Sequence, residues 1–136
     1  YNDIYLSDRK VAGILCQNVR EHYLIGIGIN VEKPSSIPSE LSGRFGYITE
    51  KAPLGSYEKI ISGVYDQLLS LFCEDPTNVH NEFSKRCIHI GKRISILKDG
   101  FEKVGTCLEI CQNFSLCVDV DGSVEKFDSG IMSILE

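Results

Sequence analysis

The sequence predicts an α+β fold, a mixed or antiparallel sheet covered by helices and followed by a small five-stranded barrel. Three observations predict it. Residues 1 to about 50 are rich in glycine and β-branched residues, residues 56–87 carry helical periodicity, and residues 91–136 form short apolar alternations broken by turns. A chain of 136 residues holds one compact domain or two very small ones, and the change in character divides it at 1–88 and 89–136.

The first strand is Ile4-Tyr5-Leu6, preceded by Asn2-Asp3, a pair common in turns. Residues 9–17 form a second strand and His22–Val31 a third, and the short polar loop between them predicts an antiparallel hairpin. One face of the third strand carries Tyr23, Ile25, Ile27, Ile29 and Val31, all suited to a core. The other carries Leu24, Gly26, Gly28 and Asn30, and its alternate glycines leave bare backbone at a cost in strand stability. Such a surface suits a ligand lying flat; the alternative is a helix or strand packed close against it. With Lys10 opposite Asn30, Ala12 lies over Gly28 and Ile14 over Gly26, giving a shallow groove with a lysine and an asparagine at its end. A shift of one residue removes that arrangement. An ammonium there neutralises a carboxylate or phosphate, and asparagine binds polar ligand groups. Gly26-Ile27-Gly28 is not a dinucleotide fingerprint, because Val31 stands where the third glycine belongs and the loop Lys33-Pro34-Ser35-Ser36 follows instead of a helix.

Tyr57, Ile60, Ile61, Val64, Leu68, Leu71 and Phe72 recur at three- and four-residue steps, so they share one face of a helix that Ser56 caps and Pro76 forbids to continue. Gly63 inside it costs about 1 kcal/mol relative to alanine. A second, shorter helix starts with Asp75 as cap and Pro76 at its first position, with Val79, Phe83 and Cys87 on one side. In the last stretch Asp99-Gly100 and Asp121-Gly122 are strong hairpin signals and Gln112-Asn113 a weaker one. Leu116, Val118 and Val120 alternate with Cys117, Asp119 and Asp121, and Leu108 and Ile110 alternate with Cys107, Glu109 and Cys111. Five short strands at this spacing curl up to remove their edges. Nothing in this stretch has the pattern of a catalytic site.

Composition bounds the partners. The chain is 43% hydrophobic and 24% charged, which excludes a disordered or fibrous protein. No apolar run approaches the roughly 18 residues of a membrane helix, and no signal-peptide pattern opens the sequence. A net charge of -5 argues against nucleic acid as the main partner. The six cysteines read as free thiols of a reducing, cytoplasmic compartment, although Cys111 and Cys117 approach each other across a hairpin. No metal site is expected: there is no C-x-x-C pair, and Cys107 and Cys111 lie about 13 Å apart along a strand.

Asn2-Asp3-Ile4-Tyr5, Arg9-Lys10-Val11-Ala12-Gly13-Ile14-Leu15 and Gly26-Ile27-Gly28-Ile29-Asn30 together resemble the biotin protein ligases, also called biotin–acetyl-CoA-carboxylase ligases. That family carries Lys-Trp-Pro-Asn-Asp-(Leu/Ile)-Tyr, Gly-Arg-Lys-(Leu/Val)-Ala-Gly-Ile-Leu and Gly-(Ile/Ala)-Gly-Ile-Asn in this order and spacing. Bacterial members end in an SH3-like barrel, so the resemblance covers essentially the whole chain. It implies an ATP-dependent ligase that forms biotinyl-5'-AMP from biotin and ATP, with Mg²⁺ assisting, and transfers biotin to a lysine of a biotin carrier protein, the acetyl-CoA carboxylase subunit. By that resemblance Lys10 is the catalytic residue, contacting the biotin carboxylate and α-phosphate. Asn2 and Asn30 would contact the adenylate, Gly13 would join the substrate site, Gly26 and Gly28 would floor it, and Asp3 would be a structural carboxylate or one that orients the acceptor lysine of the carrier. No residue is a metal ligand, and the resemblance leaves room for a homodimer.

The departures are specific. Tyr1 stands where the family has proline, and the family's Gly-Arg-Gly-Arg-type loop and the first half of its catalytic domain are not in these residues. The chain therefore reads as the C-terminal part of such an enzyme, incomplete for the reaction by itself. Two alternatives stand beside it: a lipoate or octanoyl ligase, which shares the superfamily fold and an analogous lysine, and a non-catalytic, degenerate binding module. A DNA-binding repressor would need a helix-turn-helix, and none is seen here.

Overall fold

The computed structural model describes residues 2–135. The chain forms two compact units, Tyr1–Asp66 and Gln67–Glu136. Among the described residues no helix is long and apolar enough to cross a membrane.

The first unit is built on an antiparallel sheet of three strands in the order β1-β2-β3, with β1 at Asp3–Leu6, β2 at Arg9–Val19 and β3 at His22–Ile29. Ser7 and Asp8 both take positive φ in the two-residue turn between β1 and β2, the mirror-image turn whose twist suits a hairpin. The expected hairpin of β2 and β3 is present, but its register differs by one residue from the expectation. Gly13 pairs with Gly28 and Leu15 with Gly26, so Ala12 faces Ile29 and Ile14 faces Ile27. Strand alternation alone left the register open by one, and the ladder settles it.

An irregularity in β1 and β2 compensates for the shift. Ile4 pairs with Ala12 and Tyr5 with Lys10, which leaves Val11 without a partner on β1. This is a β-bulge, two residues opposite one, and it interrupts the alternation of faces between Lys10 and Gly13. Val11 and Ala12 are buried at this point, and Val31 is buried as well.

Helix α1, Ser56–Phe72, and helix α2, Pro76–Arg86, follow. Asp75 caps α2 as expected, its carboxylate accepting from the Thr77 N–H at 2.7 Å, and that bond holds the carboxyl below its usual range. The expectation that both helices cover a sheet is met by α2 alone among the described residues. Helix α2 packs on the second unit's sheet, with the His80 Nε2–H donating to the carbonyls of Ile110 and Cys111 at 3.0 and 3.1 Å. Phe83 and His80 both pack edge-on against Phe114. Helix α1 has no buried residue, and Ile61, Tyr65 and Phe72 on its apolar stripe stand exposed.

The second sheet has five antiparallel strands in the order β7-β6-β5-β4-β8, formed by β4 at Arg93–Lys98, β5 at Phe101–Ile110, β6 at Leu116–Val120, β7 at Ser123–Phe127 and β8 at Ile131–Ile134. Both Asp-Gly pairs turn as the sequence requires, with positive φ at Asp99, Gly100, Asp121 and Gly122. Ile94, Ile96, Cys107, Leu116 and Val118 are fully buried and form its core. Each large aliphatic side chain among them contributes about 1.5–3 kcal/mol by leaving water. Gly105 has its own reason to be glycine: a Cβ there would lie 2.7 Å from Val118 Cγ1 and closer still to the Asp119 carbonyl oxygen.

The reading of all six cysteines as free thiols is corrected here. Cys111 and Cys117 form a disulfide with a Cα–Cα distance of 6.0 Å, joining the end of β5 to the start of β6. The short 111–115 connection brings them face to face, with Cys111 donating its N–H to the Ser115 carbonyl at 2.8 Å. Cys16, Cys73, Cys87 and Cys107 are free.

Candidate active site

The candidate site is an open groove of about 500 Å³ on the first unit, lined by Asp3, Lys10, Gly13, Ile14, Leu15, Gly26, Ile27 and Gly28. Its floor follows from the β2–β3 register: Gly13 and Gly28 are direct cross-strand partners, and Gly26 pairs with Leu15. Partners in a ladder point their side chains to the same face, so glycine opposite glycine leaves a patch of bare backbone. Among the described residues, the expected alternative of a neighbour packed against Gly26 and Gly28 is not found. A Cβ at Gly28 would meet no heavy atom within 4 Å, and one at Gly26 would touch only Leu15, at 3.8 Å or more.

Lys10 reaches the same face because of the bulge. In an unbroken strand, positions three apart point to opposite faces. Val11 takes up the odd residue, so the Lys10 Cε and Nζ lie 3.5 Å from where a Gly13 Cβ would be. Asp3 pairs across β1 and β2 with Gly13, which aims its carboxylate over the same spot, and Lys10 Nζ meets Asp3 Oδ1 at 2.7 Å. Both side chains remain partly exposed, at 44% and 37%. Solvent therefore screens the pair, and its worth lies in orientation more than in stability. An ammonium has three donors, so with one committed to Asp3 two remain for an incoming anion.

Asn30 and Asn2 stand differently. Asn30 follows β3 and donates its Nδ2 hydrogens to the carbonyls of Gly46, at 3.0 Å, and Lys10, at 3.4 Å. Its Oδ1 is the group left to accept. Asn2 precedes β1 and continues the ladder through its carbonyl, which accepts from the Ile14 N–H at 2.8 Å. The molecule thus brings Lys10, Asp3, Gly13, Gly26 and Gly28 to one groove and places Asn30 at the backbone beside Lys10. Leu15, the partner of Gly26, shares the face of the glycines, which only the register could show; Ile14 and Ile27 also border the groove, although alternation points their side chains to the other face.

Among the described residues there is no group of three His, Cys, Asp or Glu side chains that could hold a metal ion. The only carboxylate lining the groove, Asp3, is already ion-paired, so these residues do not assemble a Mg²⁺ site.

A three-stranded sheet bearing this groove, two helices and a second, five-stranded sheet together have the architecture of the biotin protein ligase fold. Solved structures with this architecture include those of an enzyme from Aquifex aeolicus. The apo biotin protein ligase from that organism matches with a TM-score of 0.79 at 18% identity, over 98% of this chain and 62% of its own. A second structure of the same enzyme gives 0.80 at 21% identity over 98% and 62%, and the enzyme in complex with biotin and ATP gives 0.77 at 20% over 98% and 59%. At these identities the likeness is one of fold, and the chain spans about three-fifths of the length of the enzymes it matches. No protein-family model matches the sequence, and no curated protein does.

Proposed function

We propose that this chain is the C-terminal part of a biotin protein ligase, with residues 1–88 contributing to the catalytic domain and 89–136 forming an SH3-like module. The observation that carries the reading is the glycine floor. Gly26 and Gly28 give up strand stability to a surface left open among the described residues, beside Gly13, over which the lysine ammonium is held. That arrangement suits a ligand with a flat body and an anionic end.

In the proposed reaction the biotin carboxylate oxygen attacks the α-phosphorus of ATP, and pyrophosphate leaves. The neutral ε-amine of a carrier lysine then attacks the acyl carbon of biotinyl-5'-AMP and releases AMP. Lys10 acts on both steps through charge: its ammonium offsets the carboxylate and the α-phosphate as the anhydride forms and breaks. Asp3 holds that ammonium over Gly13. Gly26 and Gly28 let biotin approach the backbone, and Asn2 and the Oδ1 of Asn30 accept from the adenylate. Mg²⁺ enters with the nucleotide as part of the substrate, and no step is assigned to it here. The partner in this reading is a biotin carrier protein in the cytoplasm.

Titration calorimetry with biotinyl-5'-AMP tests the reading. The parent chain is expected to bind, and Lys10→Ala to bind at least about tenfold more weakly, a change of about 1.4 kcal/mol. Mass spectrometry of a biotin carrier domain incubated with the whole protein, biotin and MgATP tests the transfer. A parent that binds no adenylate, or that transfers lipoate in place of biotin, would overturn it.

A further inference from the structure

Just past Ile29 the Asn30 N–H still donates to the Val11 carbonyl of β2 at 2.7 Å, and from there a different segment lies beside Lys10. The Lys10 N–H donates to the Arg44 carbonyl at 2.9 Å, and the Lys10 carbonyl accepts from the Gly46 N–H at 2.8 Å. Lys10 and Phe45 form an isolated parallel bridge. The segment continues beside residues 30–33: Ile48 donates to the Asn30 carbonyl at 3.0 Å, Thr49 donates to the Val31 carbonyl at 2.9 Å, and the Lys33 N–H donates to the Thr49 carbonyl at 3.1 Å. Asn30 ties the two together through its Nδ2 contacts with Lys10 and Gly46.

Gly46 decides how close this segment comes. A Cβ there would lie 2.7 Å from the Arg9 Cβ, 3.0 Å from Val11 Cγ1 and 3.1 Å from the Arg9 carbonyl carbon. Two of those atoms belong to the residue before Lys10 and the third to the bulged residue after it. Any larger residue pushes the strap off β2 at the one place where β2 is irregular.

We propose that residues 44–46, with Gly46 as the close-approach residue and Asn30 as the clamp, are the positioning device for Lys10. The inference rests on the reading of Lys10 as the charge-stabilising residue. A bulge on its own leaves the backbone beside it poorly paired and free to change direction. Here the strap takes both backbone groups of Lys10, while Asp3 takes its ammonium. The side chain is thereby fixed from both ends over the glycine floor. Gly46 and the strap carbonyls are positioning groups, acting on the reaction through Lys10, and Asn30 positions it through Nδ2 while its Oδ1 stays available to the adenylate.

Two variants of the chain test this, Gly46→Ala and Asn30→Ala, with two readouts. The first needs no ligand. Trace acetylation with per-lysine mass spectrometry reads how often the Lys10 amine leaves Asp3, relative to the other lysines of the same molecule. Loss of positioning is expected to raise the Lys10 rate about fivefold in Gly46→Ala and about twofold in Asn30→Ala, with the other lysines unchanged. A purely structural loss would raise several lysines together. The second readout compares biotinyl-5'-AMP with uncharged biotinamide in Gly46→Ala, which is expected to lose affinity about tenfold for the anionic ligand and little for the neutral one. An unchanged Lys10 rate in both variants, while hydrogen exchange shows the Lys10 amide released, overturns the proposal. So does a general rise across the lysines in both. A parent that binds neither ligand refutes the ligase reading, and the acetylation arm then decides the positioning role alone.

Discussion

Gly28→Val separates a glycine kept for a ligand from a glycine kept for packing. Nothing lies within 4 Å of a Cβ at this position, so the isopropyl group enters open space. Glycine in a strand costs roughly 0.5–1 kcal/mol, and valine is among the residues that suit a pleated surface best. The substitution is therefore expected to stabilise the chain by about 0.5–1 kcal/mol, which raises the melting temperature by about 2–5 °C. The same methyl groups occupy part of the 500 Å³ groove directly beside Gly13. Overfilling a fitted site costs about 1–3 kcal/mol, so binding of biotinyl-5'-AMP is expected to weaken by about tenfold or more. Scanning fluorimetry gives the first quantity and titration calorimetry the second. A Gly28→Val variant that melts well below the parent refutes an open surface at this glycine, since something would then pack there. A variant that binds the adenylate as the parent does refutes the ligand role.

Gly105→Ala is the opposite case: its Cβ meets Val118 Cγ1 at 2.7 Å, so chemical denaturation is expected to show a loss of about 2 kcal/mol or more. Cys117→Ser opens a bridge that spans a sequence separation of 6, which the loop-entropy relation values at about 2 kcal/mol, again read from denaturant midpoints. Burial pushes the Cys107 thiol up to about 11, with neighbouring Cys87 adding to the shift. Because its folded pKa exceeds the unfolded one, the contribution to stability is full below about pH 9 and declines as pH rises from there towards 11. That decline is expected in the parent and absent in Cys107→Ala, and at pH 8 alkylation is expected to label the exposed Cys16 and Cys73 ahead of Cys107.

Most of the fold was legible because its signals are local. The helix of residues 56–72, the Asp75 cap with Pro76, and the two Asp-Gly turns depend on near neighbours, and each stands where the sequence places it. The groove was legible only in its composition. Lys10, Gly26 and Gly28 could be singled out by type, but the expected pairing of Ala12 with Gly28 is replaced by Gly13 with Gly28. A register slip of one residue is invisible to alternation, and so is a bulge, because both depend on which strand lies alongside. The strap was missed for the same reason. No motif or periodicity singles out Arg44, Phe45 and Gly46, and the buried Gly46 becomes informative only once Arg9 is beside it. The disulfide likewise required the 111–115 connection to bring Cys111 and Cys117 together.

The bulge at Val11 has a consequence for anyone moving this site elsewhere. Lysine and glycine three positions apart make an odd interval, and on a regular strand an odd interval sets two side chains back to back. The spacing of Lys10 and Gly13 is thus a written instruction for an irregular strand, not only a list of two useful residues. Grafting the heptapeptide Arg9–Leu15 onto a flat hairpin would transplant the letters and lose the parity, leaving the ammonium beneath the sheet and the glycines above it. Deleting Val11 in place would do the same with a single codon.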